Sequence, residues 1–167
     1  LVSGSLKGLI LSDELKREFR DAGTQDGAYD VPYTTVHVGV IHGGTALNIV
    51  PRDCAFDFEI RHLPFDDPDA FFADVRAFAA AFLPAMHAVN PDTWIEFDHL
   101  STLPGFDTHD GSPITSLAHA CNGTHGAGKV SFGTEASLFH GASIPTVICG
   151  PGHIAQAHQP NEWVAIE

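Results

Sequence analysis

Cys54-Ala55-Phe56-Asp57-Phe58-Glu59-Ile60-Arg61 alternates without a break. Cys54, Phe56, Phe58 and Ile60 share one side, and Ala55, Asp57, Glu59 and Arg61 share the other. A period of two is that of an extended strand, and one polar side marks a strand with one face in water, the habit of antiparallel sheets. A partner lies just upstream. Tyr33-Thr34-Thr35-Val36-His37-Val38-Gly39-Val40 is rich in β-formers, and His42-Gly43-Gly44-Thr45 supplies a turn.

Further upstream, residues 9–22 read as an amphipathic helix. Leu15 and Phe19 fall four apart on one face, and Ser12 or Asp13 is a candidate cap. Downstream, Asp66-Asp67-Pro68-Asp69 has the acid and proline of a helix start. The helix should run from about Ala70 to Ala88 with Phe71, Phe72, Val75, Phe78 and Phe82 on its apolar side, disturbed at Pro84. Thr93 to Leu100 alternates again. The order is α, β, β, α, β, and one strand in front would complete the ferredoxin-like split motif. The expectation is therefore a lid whose first strand precedes Leu1.

After Leu103-Pro104-Gly105 the pattern changes to helix and strand in alternation, as in an α/β piece. Ser112-Pro113 opens a helix to about Cys121, and Lys129 to Phe132 reads as a strand. Gly133-Thr134-Glu135-Ala136 starts a helix through Phe139. Thr146-Val147-Ile148-Cys149 reads as a strand buried on both faces, ended by Gly150-Pro151-Gly152. Gln156, His158, Asn161 and Glu162 follow it, past the carboxyl end of a strand where open α/β sheets place their sites. The expected division is residues 1–101 and 102–167.

Composition narrows the class. The 167 residues carry a net charge of −13, which argues against nucleic acid or an anionic membrane as partner. No uninterrupted apolar run reaches the length of a membrane span. Three cysteines, widely spaced and without a CxxC, support neither a disulfide framework nor a zinc knuckle, and suit a reducing, cytoplasmic setting. The chain lacks an initiator Met and a signal-peptide pattern, which suggests that it starts inside a longer product.

Few residues stand out for chemistry. Of eleven histidines, His158 differs by its place after the glycine turn among Gln156 and Glu162. A neutral imidazole there suits Zn²⁺, and a solvated histidine is the competing use. Arg61, on the polar side of its strand, is placed to grip a carboxylate, or else to pair with Asp57 or Glu59. Gly133 and Thr134 offer backbone N–H groups and a hydroxyl at a helix start, either for an anion or as a plain cap. Asn48 sits in a glycine-rich connection that by itself means only a hairpin.

Taken in order, these stretches resemble one family. Ile41-His42-Gly43-Gly44-Thr45-Ala46-Leu47-Asn48-Ile49-Val50-Pro51 and Asp57-Phe58-Glu59-Ile60-Arg61-His62-Leu63-Pro64 resemble the lid (dimerisation) domain of the dinuclear zinc deacylases and exopeptidases. Phe132-Gly133-Thr134-Glu135-Ala136, Ile144 to Gly152 and Gln156-Ala157-His158-Gln159-Pro160-Asn161-Glu162 resemble the end of that family's catalytic domain. The fold so implied is α+β and α/β, a ferredoxin-like lid plus the C-terminal part of an α/β zinc-exopeptidase domain. The resemblance implies that His158 is a ligand of one of two zinc ions (cobalt being a substitute). It implies that Asn48, Arg61, Gly133 and Thr134 contact substrate. The implied reaction is hydrolysis of N2-acetyl-L-ornithine to L-ornithine and acetate, in a homodimer. Succinyl-diaminopimelate, other acylated amino acids and C-terminal peptide bonds would use the same parts, and a non-catalytic dimerisation module is the alternative from another class. The family's remaining zinc ligands, its paired glutamates and its lid histidine have no matching motif here. The resemblance therefore implies a C-terminal portion with no catalytic residue of its own and no turnover by itself.

Overall fold

The computed structural model describes residues 2–123, 126–157 and 159–166. The elements are α1 (Val2–Asp21), β1 (Thr35–Gly43), β2 (Cys54–Arg61), α2 (Pro68–Ala80), α3 (Leu83–Val89), α4 (Pro113–Asn122), α5 (Ala136–Gly141) and a 3₁₀ turn, Ile154–Gln156. Two compact units form. One takes the chain up to Gly105 together with Gly128–Gly133, and the other takes Phe106–Ala127 and the chain from Thr134 onward.

In the first unit β1 and β2 pair antiparallel, from Thr35 opposite Arg61 to Gly43 opposite Cys54. The alternation of β2 holds from Ala55 onward, while Cys54, expected on the apolar side, is exposed. Phe56, Phe58 and Ile60 are half-buried, and the residues between them are exposed. The ladder slips between Val38 and Val40, a β-bulge that leaves Gly39 without a partner of its own. Phe19, Val36 and Leu63 are the enclosed apolar side chains among the described residues. Phe19 meets Phe71 edge to face at 4.7 Å, and Phe58 meets Phe72 at 6.0 Å, so α1 and α2 close over the sheet. Thr34 is buried beneath them. Its Oγ1 donates to the Asp66 carboxyl group and accepts from the Leu63 N–H at 3.2 Å.

The helix starts follow their chemistry. Asp67 caps α2, accepting from the Asp69 N–H at 2.9 Å, with Pro68 in the first turn. The helix stops at Ala80 and restarts as α3 at Leu83, one residue before Pro84. A proline there cannot donate back to Ala80, and its ring crowds that carbonyl. Pro68–Val89 as a whole has the length and hydropathy of a membrane span, 22 residues at a mean hydropathy of 1.2. It nonetheless carries Asp69, Asp74 and Arg76, breaks before Pro84, and lays Phe71 and Phe72 on the rest of its unit.

Other expectations change. The first helix begins at Val2 rather than near Leu9, which puts Ser12 in mid-helix. Ser12 is buried there, and its hydroxyl finds no partner among the described residues. Thr93 to Leu100 joins no ladder. It runs along α2 instead, with Arg76 5.1 Å from the Phe97 ring centre and His99 5.6 Å from that of Phe72. Lys129–Phe132 and Thr146–Cys149 form no strand either. A strand exists only by bonding to a neighbour, and among the described residues none pairs with them. Ile148 and Cys149 are exposed rather than buried on both faces. In the second unit α4 and α5 stand where expected, with Thr115 and Ser137 as their buried residues.

Candidate functional site

The five residues singled out in the sequence fall in different settings. Asn48 lies in the exposed connection between β1 and β2, flanked by Leu47, Ile49 and Val50 in water. Arg61 ends β2 on its polar side. Its Nε donates to Glu59 Oε1 at 2.9 Å, the neighbour on the same face, and Nη1 donates to the Ser131 carbonyl at 3.3 Å. Both side chains of the Arg61–Glu59 pair are half-exposed. An ion pair so wet is worth little, so Glu59 can yield the guanidinium to another carboxylate at small cost.

Gly133 belongs to the same unit as Arg61. A Cβ at that position would come 3.0 Å from Leu103 Cδ1, so the glycine permits a close approach. Thr134 lies in the second unit and serves a short helix. Its Oγ1 accepts from the Ala136 N–H at 3.1 Å, and its carbonyl accepts from the Ser137 hydroxyl at 3.0 Å. His158 lies outside the described residues. Among the described residues no three His, Cys, Asp or Glu side chains converge to hold a metal ion.

Gly152 takes φ = 80°, a left-handed position, and His153 opens the 3₁₀ turn with a reciprocal cap. The Ala155 N–H donates to His153 Nδ1 at 3.1 Å, and the His153 N–H donates to Gln156 Oε1 at 2.8 Å. The Nδ1 of His153 is thus an acceptor, which places any neutral-ring proton on Nε2. The spacing of His153 to Gln156 is that of a capping box, and that was the signal available in the sequence.

A second group escaped sequence reading. Asp26 Oδ2 accepts from Lys129 Nζ at 2.8 Å, across 103 residues of chain, with side chains 19% and 28% exposed. Asp26 Oδ1 accepts from the Ala28 N–H at 3.0 Å, and the Asp26 N–H donates to the Pro32 carbonyl at 2.7 Å. Lys129 Nζ also stands 5.4 Å from the Tyr29 ring centre. The hydrogen bond from Lys129, then that from the Ala28 amide, hold the Asp26 carboxyl below the usual carboxylate range.

Residues 9–87 match the peptidase dimerisation domain of the M20 group. Over 161 residues the chain is 30% identical to an acetylornithine deacetylase of Aliivibrio fischeri (strain MJ11), covering 94% of this chain and 39% of that protein. An acetylornithine deacetylase of Myxococcus xanthus is 34% identical over 146 residues, 85% of this chain and 36% of that one. One from Vibrio cholerae serotype O1 is 29% identical over 161 residues, with coverages of 94% and 39%. The chain spans roughly two-fifths of the length of the curated relatives it matches.

Proposed function

We propose, from the match of residues 9–87 to the peptidase dimerisation domain, that the protein is an amide hydrolase acting on acylated amino acids. N2-acetyl-L-ornithine is the substrate we favour, and L-ornithine and acetate are the products. One observation carries the reading: the likeness to acetylornithine deacetylases does not stop at the lid but runs through 94% of the chain.

In this proposal the chain's own residues bind substrate and do not perform the bond-breaking step. Arg61 exchanges Glu59 for the substrate's carboxylate, to which a planar guanidinium can donate in a bidentate fork. Asn48 adds amide donors from the exposed connection between the strands, and Gly133 and Thr134 line the pocket. Zinc is the proposed cofactor, with His158 among its ligands, and the lid pairs with a second copy to give a homodimer. A cytoplasmic location fits the cysteine usage and is part of the same proposal.

The test is turnover by the full-length protein supplied with Zn²⁺. Release of ornithine from N2-acetyl-L-ornithine is the expected result, with Arg61→Ala raising KM. Absence of turnover in zinc-replete protein that remains folded and dimeric would overturn the proposal. Light scattering after size exclusion reads the dimer, and a monomer at all concentrations would remove that part.

A further inference from the structure

Arg61 is held from two sides, and only one of them is its own strand. Glu59 takes Nε, and the Ser131 carbonyl takes Nη1. Ser131 lies in Gly128–Gly133, a short length of chain that packs with the lid unit although its neighbours on both sides belong to the other unit. Something must fasten it there. The structure offers a built cation seat two residues before Ser131. The Asp26 loop is closed by its own hydrogen bond to Pro32, its carboxyl is oriented by the Ala28 N–H, and Tyr29 presents its ring. Lys129 fills that seat.

We propose that Asp26 and Lys129 are positioning residues for the Arg61 carboxylate site. Their ion pair fastens Gly128–Gly133 to the lid, and the Ser131 carbonyl so placed fixes the guanidinium in one orientation. A free arginine side chain loses much rotational freedom when it grips a ligand. One already held by a fixed carbonyl has lost part of it beforehand, which strengthens ligand binding. The clasp thus acts on affinity for the substrate's carboxylate and leaves the chemical step alone. The inference rests on Arg61 being the carboxylate-binding residue.

The experiment uses the full-length protein with three variants: Lys129→Met, Lys129→Arg and Arg61→Ala. Lys129→Met should raise KM several-fold for N2-acetyl-L-ornithine with kcat unchanged, and Lys129→Arg should restore it. An analogue whose carboxylate is replaced by a carboxamide should show no difference between wild type and Lys129→Met. Hydrogen exchange over residues 128–133 should speed up in Lys129→Met while β1 and β2 stay protected. Exchange unchanged over that segment would overturn the clasp whatever the kinetics. If Arg61→Ala raises KM and Lys129→Met does not, the clasp is also overturned, and the reading of Arg61 stands. If Arg61→Ala leaves KM unchanged, the reading of Arg61 itself falls.

Discussion

Thr34 offers the sharpest test of what holds the lid unit together. It is 3% exposed, and its hydroxyl serves two partners at once. It donates to the Asp66 carboxyl group, which lies just before the start of α2, and it accepts from the backbone N–H of Leu63, itself 4% exposed. Thr34→Val keeps the shape and removes both bonds. A hydrogen bond to a charged group contributes about 1.5–3 kcal/mol, and a buried N–H left unpaired costs about 1–3 kcal/mol. Together they put the loss at roughly 2.5–6 kcal/mol. Thr34→Ser keeps both bonds and gives up one methyl, a cost of about 1 kcal/mol. The expected order is wild type, then Ser, then Val. If burial of apolar surface alone mattered at this position, the order of the two variants would be reversed. Urea denaturation followed by far-UV circular dichroism measures the order, and hydrogen exchange at the Leu63 amide reads the broken bond directly. A Val variant within about 0.5 kcal/mol of wild type, the range of an ordinary surface change, would refute the reasoning.

Acid should act on the Asp26–Lys129 pair. The Asp26 carboxyl is depressed in the fold, so the stability it contributes is present above about pH 4, the value of a free aspartate, and is lost as pH falls through the folded value. Melting temperatures from pH 6 to pH 2.5 should show an acid limb that is flatter in Lys129→Met. Gly23→Ala should destabilise the lid unit by about 1–3 kcal/mol in the same urea assay, because overpacking costs that much and the new Cβ would come 2.6 Å from the Phe19 carbonyl oxygen, which is backbone and cannot swing away. Gly152→Ala should undo the cap at His153, since the position has φ = 80° and the Cβ would come 3.0 Å from Gln156 Oε1. Faster exchange at the Ala155 amide is the readout, and an unchanged rate would count against the cap.

What the sequence made legible was local. The alternation of residues 54–61 needs no partner to be seen, and neither does the Asp67-Pro68 start of α2 or the break before Pro84. Pro113 likewise opens α4 at the position where a missing N–H costs nothing. The three strands that did not form were misread for one reason. Thr93–Leu100, Lys129–Phe132 and Thr146–Cys149 have the composition of strands, but a ladder is a property of two segments, and composition reports on one. The site divides in the same way. Arg61 was visible from its place on a polar strand face, as was its competitor Glu59. Asp26 and Lys129 were invisible, because 103 residues separate them and no spacing rule spans such a distance.

The bulge in β1 has a consequence for the length of the strand. Inserting or deleting one residue in a strand ordinarily swaps its two faces from that point on. At Gly39 the arithmetic differs. Val38 stands opposite Phe58, Val40 opposite Asp57 and Ile41 opposite Phe56. Excising Gly39 would leave each of these pairs as it is, so the strand would keep its phase while losing a residue. Gly39 is the slack in the strand, the one place where its length can be shortened without moving a side chain from one face to the other.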